Sequence, residues 1–207
     1  MYPISSLLSM DNFNYRAYAA ELVGTFLLAF MVYMGVGGSL PVPTPVIAGL
    51  TLGLVVYMFG SISGAHVNPA VTVALASIGK ITPKDAAIYV VMQFIGGFLA
   101  FLAGNAFLGG LTVVAGNTTL IAVAELIGAA ILVLGVSSVV HGKVTQSASG
   151  LTIGTALSLG VLAASAGSNG VLNPAVATGI GSLSAAYVLG PIVGGVLAAW
   201  GYRALVR

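Results

Sequence analysis

The chain has 207 residues, 58% of them hydrophobic and 5% charged, with a mean hydropathy of +1.11. Soluble domains carry about a quarter charged residues, so this composition excludes a water-exposed surface and requires spans of about 20 residues bundled in lipid. The absence of cysteine excludes disulfides and thiolate metal sites, and a pI near 9.0 resting on six basic residues gives no support to a nucleic-acid partner.

Along the chain, the stretch from Met1 to Tyr15 lacks a basic region ahead of an apolar core, so it does not read as a cleavable leader. Six long apolar segments follow, at Tyr18–Gly38, Val46–Ser63, Ala86–Asn105, Leu120–His141, Gly150–Gly167 and Ala186–Ala204. Their glycines read as small residues that let membrane helices approach closely. Two shorter segments remain, Pro69–Gly79 and Pro174–Leu183. Each is about 15 Å of helix at its length, half of a hydrocarbon core of about 30 Å, so each enters the membrane as a half-span. Ser39–Pro45, with three prolines, is a turn, and Gly109–Thr119 is the longest connection. Ser147–Gly150 has helix-start chemistry, and Tyr18, Tyr187, Trp200 and Tyr202 near span ends are expected as interface anchors. In a six-span arrangement Arg16, Lys80, Lys84, Lys143, Arg203 and Arg207 all fall on one side, as does His141, which is expected to be solvated there. The positive-inside rule then places both termini in the cytoplasm.

The two halves resemble each other. AAELVGTFLL around Glu21 matches AVAELIGAAIL around Glu125, SGAHVNPAVT around Asn68 matches SNGVLNPAVAT around Asn173, and QFIGGFLA from Gln93 matches PIVGGVLA from Pro191. The expectation is one domain over residues 1–207, with a first repeat at about 17–107 and a second at about 119–205. Each repeat reads as span, span, half-span, span. Three full spans per repeat invert the second copy, and inverted repeats with broken helices place a functional site near the bilayer midplane.

Asn-Pro-Ala occurs twice, as Asn68, Pro69, Ala70 and as Asn173, Pro174, Ala175. Asn suits an N-cap, Pro the first helical position, and Ala is small enough for two helix starts to meet. A pair of such starts carries roughly half a positive charge each and repels cations. The Asn amides donate to the oxygen of a passing molecule, and a water that accepts twice cannot bridge its neighbours into a proton wire. One Asn-Pro-Ala is weak evidence of anything beyond a helix start or turn; two at the repeat offset, each opening a half-length helix, are a specific signal.

With AAELVGTFLL, SGAHVNPAVT, MQFIGGFLA, AELIGAAIL, the second NPA and GPIVGG, the chain resembles the aquaporin and glycerol-facilitator (major intrinsic protein) family over essentially its whole length. The resemblance implies an all-α membrane protein with six transmembrane helices and two re-entrant half-helices, a pore in each subunit and a homotetramer in the plasma membrane. It implies a passive, non-enzymatic channel for water and small uncharged solutes, glycerol and urea among them, with no cofactor. It further implies that Gly64, Ala65 and His66, with Asn169, Gly170 and Val171, form a ladder of carbonyl acceptors along the pore. The filter departs from the family pattern. The position three residues after the second motif Asn, usually Arg, is Val176, and the other filter positions fall at Ala48, Val161 and Gly170, giving a wide apolar ring without a fixed cation. Ala177 stands where glycerol facilitators place an acid.

Glu21 and Glu125 inside spans admit two readings, a proton relay or a buried acceptor that clamps the re-entrant loops; repeat symmetry and the family role favour the clamp. His66 is either a titrating gate or a packed, hydrogen-bonded side chain beside the pore. Three other functions compete with the water and small-solute channel: a secondary transporter, a channel for neutral gases such as ammonia or carbon dioxide, and a non-conducting structural member.

Overall fold

A computed structural model describes residues 14–38 and 40–207; most of the Met1–Tyr15 stretch therefore lies outside the described residues. Among the described residues eight α-helices follow in order: α1 Tyr15–Gly37, α2 Thr44–Ser63, α3 Pro69–Ser77, α4 Pro83–Leu108, α5 Thr119–Val140, α6 Ser149–Ala164, α7 Pro174–Gly179 and α8 Ala185–Leu205. A 3-10 turn, Gln146–Ala148, leads into α6. Six helical spans, α1, α2, α4, α5, α8 and α6 taken with the 3-10 turn before it, are long and apolar enough to cross a membrane, and α3 and α7 are the short pair. The fold is all-helical among the described residues.

Several boundaries depart from the sequence expectation. The fourth helix begins three residues early, because Thr82 caps it by accepting from Asp85 N–H at 3.1 Å with Pro83 at its first position. The seventh stops at Gly179 rather than Leu183, because Gly181 turns the chain at φ 72°. Six residues span about 9 Å, so α7 is shorter than a half-span, and residues 180–184 finish the excursion as irregular chain.

The helices pair α1 with α4 and α2, and α5 with α8 and α6, while α2 packs on α6 across the middle. Each short helix lies crosswise: α3 packs on α8, and α7 on α4. The α2–α6 crossing depends on glycine. A Cβ on Gly53 would lie 2.9 Å from the Gly150 carbonyl oxygen, and one on Gly154 would strike that of Gly49. Backbones at that distance exclude any side chain, and close approach is what holds helices together where lipid removes the hydrophobic drive.

Two of the expected interface anchors are instead interior. Tyr18 is 2% exposed and Tyr187 1%. The Tyr18 hydroxyl donates to Asp85 at 2.6 Å, and that of Tyr187 accepts the Asn169 N–H at 3.0 Å. A phenol near a span end suits an interface, but these face partners for the hydroxyl inside the bundle, the first turn of α4 and the second re-entrant segment. Trp200 is half exposed, with Arg203 over its ring at 5.1 Å. His141 is partly buried, its Nδ1 2.9 Å from the Ser137 carbonyl oxygen and its ring tilted against Tyr202.

Candidate functional site

Asn68 and Asn173 begin the two short helices. The Asn68 side-chain oxygen accepts from Ala70 N–H at 2.8 Å, and that of Asn173 from Ala175 N–H at 3.0 Å and Val176 N–H at 3.3 Å. The following prolines need no N–H bond, so the cap satisfies the first free donor of α3 and the first two of α7. The two starts are tied together. Asn68 Nδ2 donates to the Leu172 carbonyl at 3.0 Å, and Asn173 Nδ2 to the Val67 carbonyl at 2.9 Å. Each amide has two hydrogens. The second meets no partner among the described hydrogen bonds, and both asparagines line the cavity described below.

The segments ahead of the asparagines are held from behind by the two buried acids. Glu21 accepts from Ser63 Oγ at 2.7 Å, His66 N–H at 2.9 Å, Val67 N–H at 2.7 Å and Gln93 Nε2 at 2.8 Å. Glu125 accepts from Ser168 Oγ at 2.7 Å, Val171 N–H at 2.9 Å and Leu172 N–H at 2.6 Å. Both are fully buried. Neither acid lines the cavity described below. Ser63 and Ser168 each accept an N–H two residues on, from Ala65 at 3.0 Å and Gly170 at 2.9 Å. These serines, along with Tyr89, Gln93 and Thr72, were not singled out as site residues from sequence, and Tyr187 was expected only as an interface anchor. The serines carried a signal, since both stand five residues before a motif Asn in the repeat match.

Clamped this way, the backbone leaves helical space. Ala65, Val67 and Leu172 have φ of 50°, 42° and 56°, and Gly64 and Gly170 of 87° and 62°. Gly64, Ala65, His66, Asn169, Gly170 and Val171 all line the cavity, and among the described hydrogen bonds no donor reaches their carbonyl oxygens. Irregular backbone at membrane depth is tolerated where it borders a water-filled cavity.

That cavity, about 930 Å³, runs the length of the bundle. At one end it meets Val36, Thr44 and Pro45; at the other, the basic end, it meets Lys80, Gly142 and Gln146; between them it passes Asn68 and Asn173. Ala48, Val161, Gly170 and Val176 all border it, from α2, α6, the second re-entrant segment and α7. At Gly170 an added Cβ would lie 2.7 Å from the Val161 carbonyl oxygen and 2.8 Å from Ser165 Oγ, so a larger residue there would displace the wall. Most of the remaining lining is aliphatic, as at Leu28, Leu52, Val56, Leu132, Ile153 and Leu157. Lys80 is the sole charged residue of the lining among the described residues, and its Nζ donates to the Val140 carbonyl at 3.2 Å.

One wall of acceptors, two amide donors at the centre and aliphatic side chains elsewhere make a passage rather than a reaction centre. Comparison with known proteins agrees with this. The family model described as "Major intrinsic protein" matches residues 8–202. The "Probable aquaporin NIP7-1" of Arabidopsis thaliana is 34% identical, over 92% of this chain and 76% of that protein. The "Glycerol uptake facilitator protein-like 6" of Lactiplantibacillus plantarum is 33% identical, over 92% of this chain and 98% of that one. A solved aquaglyceroporin from Plasmodium falciparum shares the fold with a TM-score of 0.69 at 21% identity, covering 94% of this chain and 97% of that one. The chain therefore belongs to the major intrinsic protein family and is a membrane channel for water and small solutes, not an enzyme.

Proposed function

We propose that the chain conducts water and small uncharged solutes of the urea and glycerol class passively, through a filter that is wide and apolar. The observation that carries this reading is the single cavity passing both asparagine-capped helix starts and bordered by Ala48, Val161, Gly170 and Val176, with no cation in that ring. Cations are turned back at the centre, where two helix starts present roughly half a positive charge each and where an ion would shed its water in an apolar passage. The free hydrogens of the Asn68 and Asn173 amides donate to the solute oxygen and interrupt any chain of waters. Glu21 and Glu125 serve as clamps that hold the acceptor ladder in place, and the chain works as one domain of two inverted repeats. The basic end faces the cytoplasm of the plasma membrane, and the family resemblance supports a homotetramer with a pore in each subunit.

The test is stopped-flow light scattering of proteoliposomes under water, glycerol and urea gradients. Permeability well above empty liposomes is expected for all three, and values equal to empty liposomes for all three would end the open-filter reading. Val176→Arg restores a cation to the ring, and the glycerol-to-water ratio should fall several-fold; an unchanged ratio would remove Val176 from the filter.

A further inference from the structure

The bulky polar part of the conduit wall lies in the basic half, not at the ring of four small residues. His66 and Tyr89 are the aromatic side chains of the lining, edge to face with centroids 5.2 Å apart. The imidazole is fixed on several sides. Its residue's N–H is held by Glu21 at 2.9 Å, and its Nδ1 lies 3.2 Å from Thr72 Oγ1. Thr72 Oγ1 accepts from Gln93 Nε2 at 2.8 Å and donates to the Asn68 carbonyl at 3.0 Å, and Gln93 gives its other amide hydrogen to Glu21 at 2.8 Å. Thr72, Gln93 and Glu21 are fully buried.

The contact with Thr72 sets the orientation of the ring, with Nδ1 turned to the buried hydroxyl and Nε2 on the opposite edge. No donor among the described residues reaches Nε2. By the repeat offsets, the counterparts of His66, Thr72 and Gln93 are Val171, Ala177 and Pro191, so the second repeat has no such relay.

We propose that solutes are sorted in the basic half of the conduit, by the fixed imidazole of His66 with its unpartnered Nε2, and not at the wide ring of four small residues. The class favoured is small neutral molecules that hydrogen-bond to the imidazole, ureas and short polyols, with the imidazole setting the upper size. A few well-placed polar groups in an otherwise apolar site are what confer specificity. Thr72 and Gln93 are positioning residues that act through His66. The inference rests on the conducting function proposed above.

The experiment uses the full chain in proteoliposomes, with water, urea, glycerol and erythritol gradients. The unaltered chain should pass urea and glycerol and hold back erythritol. His66→Ala should raise the erythritol-to-water ratio several-fold, its retained water flux showing a folded pore. Thr72→Val, which releases the ring without shrinking it, should shift the urea-to-water ratio, and Thr72→Ser should restore it. The inference is overturned if His66→Ala conducts water with an unaltered solute ranking, or if Val176→Ala moves the ranking more than His66→Ala does. Should His66→Ala carry no water, the threonine pair decides alone, and one urea-to-water ratio across both variants and the parent overturns it. A parent chain no more permeable than empty liposomes overturns the conducting function itself and this inference with it.

Discussion

Val67 and Leu172 have positive φ, 42° and 56°, with branched side chains that avoid this region unless their surroundings impose it. Such a residue costs about 1–3 kcal/mol, and three contacts hold each one there. An acid accepts its N–H, the opposite asparagine donates to its carbonyl, and its side chain is fully buried. The arrangement aims two carbonyls at two amides and leaves one hydrogen of each asparagine for the conduit. Glu21→Gln tests the acid's part. The amide offers one oxygen where the carboxylate offers two, and four donors converge on that site. At least one buried donor loses its partner, which costs about 1–3 kcal/mol. The melting temperature in detergent should fall, while flux in proteoliposomes remains linear in the gradient. An unchanged melting temperature together with lost flux would mean that Glu21 takes part in transport and does not merely hold the loop.

At the scale of elements, the helix that carries each acid also carries a glycine three residues later, and that glycine receives the strained side chain. A Cβ on Gly24 would lie 2.7 Å from Val67 Cγ1 and 3.0 Å from Val55 Cγ1, while one on Gly128 would strike Leu172 Cδ2. Gly24 meets only side chains, so its neighbours can be trimmed; Gly97 meets the Ala175 backbone, including its carbonyl carbon at 3.0 Å, which no substitution removes. Gly24→Ala should therefore destabilise by about 1–3 kcal/mol through overpacking, exceeding the gain of about 1 kcal/mol in helix propensity. Val67→Ala in the same chain should recover most of it, whereas Gly97→Ala should lower the melting temperature with no rescue from Ala175→Gly. Failure of Val67→Ala to restore stability would place the tight contact elsewhere. This lock also marks the limit of what was legible in the sequence. The helix starts were legible because capping is local: Asn and Pro act within three residues of themselves. The repeat was legible because Glu21 and Glu125 stand within one residue of the same distance from their motifs. The Thr72–Gln93 pairing joins two helices and has no partner in the second repeat to give it away, and the burial of Tyr18 and Tyr187 depends on where Asp85 and the Asn169 backbone come to rest. The early end of α7 followed from one left-handed glycine, which spacing alone does not distinguish from any other.

Over the whole molecule the two halves differ in charge as well as in the His66 relay. Lys80 bonds the Val140 carbonyl at the end of α5, and Arg203 of α8 bonds the Ile78 carbonyl at 3.3 Å, so cations close one end of the bundle by holding helix termini. The opposite end is closed without charge. Asn169 donates to the Val114 carbonyl at 3.2 Å, Ser184 to that of Gly116 at 2.9 Å, and Ala186 N–H to Asn117 at 3.0 Å. Such an asymmetry has a direction in a membrane, because loops rich in Lys and Arg stay on the cytoplasmic side. The native chain has no cysteine, so single cysteines report sidedness without background. Val114 is 82% exposed at the uncharged end, and Ser147 is exposed near Lys143 at the basic end. In intact cells a membrane-impermeant maleimide should label Val114→Cys and spare Ser147→Cys, and permeabilising the cells should expose the second. If Ser147→Cys were labelled from outside and Val114→Cys protected, the basic end would face outward. The His66 half of the conduit would then be the first that an entering solute meets.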